Sequence, residues 1–124
     1  MRLMNERTRK PVASSVELAD TRKTRRRGLL GRDALESNAA LMLVPCALIH
    51  TAFMRFPIDL VFIDRDGCAV RTASRVRPWR VSMALRARAV IELPAGHLDA
   101  CQVEIGDRLY LAPARLAEAR GEGG

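Results

Sequence analysis

The chain has 124 residues, 48% of them hydrophobic and 28% charged, with a formal net charge of +7. That length fits one domain around one core, and the balance of apolar and charged residues excludes wholesale disorder. No apolar run is long enough to span a bilayer, and Met1 to Arg7 lacks the hydrophobic stretch of a secretory signal, so a soluble, cytoplasmic protein is expected.

In chain order, Val12 to Leu18 alternates loosely and reads as a strand. Asp20 then offers a cap for one helix near 21–30, with Leu29 and Leu30 docking its end on the core. Ala39 to Val44 is an apolar strand stopped by Pro45. Ile58 to Asp64 is rich in β-branched and aromatic residues, Asp66-Gly67 signals a hairpin, and Cys68 to Arg71 returns. Ala89 to Leu93 is a further strand, closed by Pro94-Ala95-Gly96. A short helical turn fits 97–103, and Gly106-Asp107 leads into a last strand, Arg108 to Leu111. Residues 113–124 read as a flexible tail behind a single domain over 1–112, its core at about 14–112. The pattern predicts a mainly β fold, a compact antiparallel sandwich or barrel. Leu60, Phe62, Val90, Ile91 and Leu109 are its expected core.

The charge is uneven. Residues 1–32 hold ten Lys/Arg against three Asp/Glu, while residues 33–124 hold eleven of each. The dense part, Arg22-Lys23-Thr24-Arg25-Arg26-Arg27, reads as a solvated helix face with Arg22, Arg25 and Arg26 exposed. Nucleic acid is not the expected partner, because no aromatic interleaves with the basic run.

Three cysteines, Cys46, Cys68 and Cys101, give an odd count without a CxxC, which fits free thiols rather than a disulfide framework. Cys46 and His50, with His97 and Cys101, repeat a four-residue spacing. On strand or loop that spacing spans about 13 Å, too far for shared metal ligation without a turn, so no metal is expected. GxSxG, HExxH, Walker and GxGxxG motifs are all absent. No cofactor is expected.

What remains is charge lodged in apolar strings. His50 to Asp59 mixes His50, Thr51, Arg55 and Asp59 with Phe53, Met54, Phe56 and Ile58. Pro78-Trp79-Arg80 carries the single tryptophan, and Glu92 is alone in Val90 to Gly96. Buried charge is costly unless paired, so Arg55 and Arg80 are expected to converge on Asp59 and Glu92.

The same strings resemble the DUF192 family, also called UPF0127, a group of uncharacterised small prokaryotic domains. The resemblance rests on Gly28-Leu29-Leu30-Gly31-Arg32, the run from His50 to Gly67, Pro78-Trp79-Arg80, Glu92 to Gly96, and Gly106-Asp107, in that order. It implies a jelly-roll-like β domain with a packed helix, and no established activity. Many members of the family begin with a signal peptide and act outside the cytoplasm.

Three functions fit these residues. The first is a non-catalytic module holding a small polar or anionic ligand with His50, Thr51, Arg55, Asp59, Trp79, Arg80 and Glu92, Trp79 serving as an apolar platform. The second is an accessory protein-interaction domain, as in envelope or pilus assembly, using the basic helix. The third is a hydrolase-type enzyme with His50 as acid or base oriented by Asp59.

Overall fold

The computed structural model describes residues 1–114, so all but the first two residues of the tail expected over 113–124 lie outside the described residues. Ten strands and two short helices occupy them: β1 (Arg2–Asn5), β2 (Lys10–Ala13), β3 (Ser15–Ala19), α1 (Arg22–Arg27), β4 (Ala39–Leu43), β5 (Leu48–His50), β6 (Ile58–Ile63), β7 (Ala69–Val76), β8 (Val81–Met83), β9 (Ala89–Pro94), α2 (His97–Cys101) and β10 (Leu109–Ala112). The chain is mainly β, as its sequence predicts.

A central sheet runs β3-β4-β9-β6-β7, a second runs β10-β1-β2, and β5-β8 form a two-stranded ribbon. β6 and β9 are interior strands buried on both faces, which is why they read as continuous apolar runs. Side-chain alternation along them divides the core in two. Val61, Ile91 and Leu93 face Leu3, Val12, Leu98 and Leu109 from the second sheet and α2. Leu60, Phe62 and Val90 face the other way, onto Leu29, Leu43, Ile49 and Met54. All five expected core residues are buried. The layers make a sandwich, and no sheet among the described residues closes into a barrel.

Several elements differ from the sequence reading. The strand expected over Val12 to Leu18 is broken at Ser14, so that β2 pairs with β1 and β3 with β4. β3 and β4 are parallel, in a sheet otherwise antiparallel. Parallel neighbours need a crossover, which residues 20–38 supply with α1 inside it. That helix is only six residues long, buries none of them, and is capped by Thr21 rather than Asp20. The Thr21 hydroxyl accepts from Thr24 N–H at 3.1 Å, while Thr24 Oγ1 accepts from Thr21 N–H at 3.0 Å. Arg25, expected to be exposed, is half-buried and donates to the Asp20 and Val44 carbonyls. α1 ends because Gly28 takes φ 47° and ψ −127°, a conformation open chiefly to glycine.

The expected hairpin forms between β6 and β7. Asp64 Oδ1 accepts from Asp66 and Cys68 N–H, both at 2.9 Å, and closes the turn from its own side chain. Gly67 is obligatory there: φ is +85°, and a β-carbon would stand 2.6 Å from the Leu109 carbonyl oxygen.

Candidate functional site

β5 and β8 cover the Leu60 side of the central sheet. Ile49 and Ser82 point inward, while Leu48, His50, Val81 and Met83 point to solvent. Thr51 pins the ribbon. Its hydroxyl donates to the Arg77 carbonyl at 2.6 Å and accepts from Arg80 N–H at 2.8 Å, and its own carbonyl accepts from Trp79 N–H. The two strings that carry His50 and Trp79 are therefore adjacent, through the backbone.

Between this ribbon, the end of α1 and the central sheet lies a cavity of about 300 Å³. Leu29, Leu43, Ile49 and Met54 give it apolar walls. Arg25, Arg26, Arg27 and His50 stand around it, and Glu92 is its inner acid. Glu92 is there because β9 pairs it with Leu41 on one side and Leu60 on the other, on the face that looks toward the ribbon. Gly28, turning α1 back onto the sheet, has only 3.8 Å between its would-be β-carbon and Glu92 Oε1.

Glu92 is 4% exposed and makes no side-chain hydrogen bond or ion pair among the described residues. Yet no side-chain oxygen or nitrogen described is both sealed and unbonded. Its carboxyl oxygens therefore open on the cavity. Burial pushes this carboxyl up to about 7, with Arg32 only partly opposing. It is a carboxyl that exchanges donor and acceptor roles near neutral pH, with no protein group to satisfy it.

Of the residues expected to form one site, only His50 and Glu92 line this cavity. Arg55 is ion-paired with Asp33 at 2.7 Å, and the Arg80 guanidinium donates to the Trp79 carbonyl at 3.3 Å. Neither arginine pairs with Asp59 or Glu92. Asp59 is fully buried on the opposite sheet face, where its oxygens accept from Arg75 and Leu98 N–H, both at 2.8 Å. Asp59 faces away from the ribbon that carries His50, and no His50–Asp59 hydrogen bond occurs among the described residues, so the expected orientation of His50 by Asp59 is not made. Trp79, expected as a ligand platform, instead meets Phe53 edge to face on the surface, with ring centroids 4.6 Å apart.

The sequence reading missed Arg26, Arg27, Gly28 and Cys46, which line the cavity together with Glu92. Cys46 Sγ donates to the Leu48 carbonyl, and burial pushes its thiol up, away from nucleophilic chemistry. His97 and Cys101 border a separate depression with Pro11 to Ser14, and His97 Nε2 bonds the Val12 carbonyl.

Comparison with known proteins reaches the same strings. The family profile described as Uncharacterized ACR (DUF192) matches residues 3–111. A UPF0127 protein of Thermococcus sibiricus is 34% identical over 113 residues, covering 86% of this chain and 72% of its own. Another from Pyrococcus abyssi is 31% identical, covering 86% of this chain and 94% of its own. Among solved structures, a putative transcription regulator from Sinorhizobium meliloti superposes with a TM-score of 0.74 at 22% identity, covering 88% and 89% of the two chains. A protein of unknown function from Novosphingobium aromaticivorans gives 0.71 at 22% identity, over 77% and 74%. These two likenesses establish the fold.

Proposed function

The chain belongs to the DUF192 family of uncharacterised proteins, and we propose that within it this domain is a non-catalytic binding module for a small, largely apolar molecule with an anionic end. One observation carries the reading: a buried carboxyl with no protein partner among the described residues faces a largely apolar cavity that Arg25, Arg26 and Arg27 also line. A buried polar group left unsatisfied is costly. A ligand bearing a hydroxyl or amine at its inner end would satisfy Glu92, its body would lie against Leu29, Leu43 and Met54, and its anionic end would meet Arg26, Arg27 and His50. The carboxyl titrating near 7 can answer either a donor or an acceptor on the ligand.

A thermal-shift screen of small anionic amphiphiles tests this. A compound that binds the native state raises the midpoint by mass action. The reading expects such compounds, and expects Glu92→Leu, which keeps the cavity apolar and packed, to abolish the rise while remaining folded. A series of amphiphiles that leaves the midpoint unmoved, or hits that act equally on Glu92→Leu, would contradict it.

A further inference from the structure

The fold gathers charge that the sequence scatters. Residues 21–32, 46–57 and 77–88 together hold eleven of the 21 Lys/Arg and none of the 14 Asp/Glu, leaving the rest of the chain net acidic. These three segments meet around the ribbon: the first and second share the cavity wall, and the second and third pair as β5 and β8. Of the eleven cations, only Arg32 and Arg55 form ion pairs among the described residues. Asp64 and Asp66 bound the face at one end, beside Arg86 and Arg88.

The centre of this basic face is apolar. Leu48 and Met83 are directly opposed on the outer side of the ribbon, with Val81 next to them, and all three are exposed. At one end stand Phe53 and Trp79, both exposed and both held in left-handed backbone conformations (φ 64° and 66°). At the other stands Leu85, 89% exposed. Both exposed aromatics are thus held at a cost in backbone strain.

We propose that this face docks the protein on a membrane surface rich in anionic phospholipid, the apolar residues entering the interfacial zone and the arginines meeting headgroup phosphates. Exposed Trp, Phe and Leu ringed by arginine match that layer in both polarity and charge. A second copy of the chain fits worse, since the face would press cation on cation. Single-stranded nucleic acid also fits worse, because Phe53 and Trp79 stand 61° from coplanar and give no joint stacking platform. No described helix is long and apolar enough to cross a membrane, and the contact proposed here is a peripheral one. The proposed face shares Arg26 and Arg27 with the cavity but needs no cavity ligand, and the Leu85→Ser, Val81→Ser pair, which lies outside the cavity lining, tests it separately.

Trp79 is the chain's single tryptophan, so its emission reports on the patch itself. The full chain is mixed with vesicles of phosphatidylcholine alone and of phosphatidylcholine with an equal part of phosphatidylglycerol. Cosedimentation and tryptophan emission are then followed. Binding at least about tenfold stronger to the anionic vesicles, with a blue shift and weakening in salt, is expected. Leu85→Ser with Val81→Ser should weaken it about tenfold, as should Arg26→Glu with Arg27→Glu, while Glu92→Gln should leave it unchanged. Leu85, Val81, Arg26 and Arg27 are exposed, so their variants keep the fold, and Glu92→Gln replaces the buried carboxyl with an amide of the same shape. Failure to sediment with either vesicle overturns the proposal. So does an equal response to polyglutamate or single-stranded polynucleotide in solution, or self-association that the Leu85→Ser pair abolishes.

Discussion

Asp59 and Glu92 lie one register step apart on neighbouring antiparallel strands, yet they project from opposite faces of the same sheet: Asp59 pairs with Leu93 and Glu92 with Leu60. Strand alternation makes that unavoidable. It assigns the two carboxylates different work. Asp59 binds the backbone of Arg75 and Leu98, fastening α2 to the sheet, whereas Glu92 is left to the cavity.

Replacing Asp59 by Ala should therefore destabilise the domain by about 2–4 kcal/mol, because the buried Leu98 N–H loses a charged acceptor. Urea unfolding reads this directly. A loss below about 1 kcal/mol would show that another acceptor takes its place.

Arg80→Ala should change stability by less than about 0.5 kcal/mol, since the side chain is exposed and has no ion pair. A loss of several kcal/mol in the same urea experiment would restore the buried-pair arrangement that the sequence suggests.

Gly67→Ala combines a forbidden φ with a β-carbon 2.6 Å from the Leu109 carbonyl oxygen. The expected cost is about 2–4 kcal/mol, well above that of an ordinary surface substitution. Thermal denaturation suffices to measure it.

Acid sensitivity should come from Asp107. Arg7 above all, then Glu104 N–H and Asn5, hold its carboxyl down at about 2. A depressed carboxyl stabilises the fold at pH above its ordinary value of 3.8, and that contribution is lost as pH falls from there toward 2. Asp107→Asn should be less stable than the native chain at pH 6 and should show a flatter loss across that window. Equal slopes in urea titrations at several pH values would contradict the assignment.

How much of this was legible in the sequence follows from where each signal is local. β6 and β9 are apolar throughout because both faces are covered, and the Asp66-Gly67 turn is a property of four consecutive residues. β1 was not legible: Arg2-Leu3-Met4-Asn5 is a strand because β2 and β10 flank it. The parallel placement of β3 beside β4 likewise depends on a crossover that no short window encodes. At the site, Glu92 stood out as a charge in an apolar string. Its surroundings did not, because Gly28 approaches it only through tertiary packing, and the expected pairing with arginine overlooked which sheet face each carboxylate must take.

Glu92 also sets the upper pH limb. Its folded carboxyl titrates at about 7 against an ordinary 4.5, so stability falls as pH rises between those values and levels off above the upper one. The total is about 3 kcal/mol. Glu92→Gln should remove the slope and make the domain more stable than the native chain at pH 8. Urea midpoints across pH 4.5–8 check this, and an unchanged slope in the variant would assign the effect elsewhere.

The central claim is that Glu92 is a buried carboxyl without a protein partner, open to a ligand. Carbon-13 NMR of the glutamate side-chain carboxyls, with the Glu92 resonance assigned by its loss in Glu92→Gln, measures its titration directly. The account predicts a midpoint near 7 in the free protein, displaced when an amphiphile from the thermal-shift screen is bound. A midpoint at the ordinary 4.5, unmoved by any such compound, would contradict it.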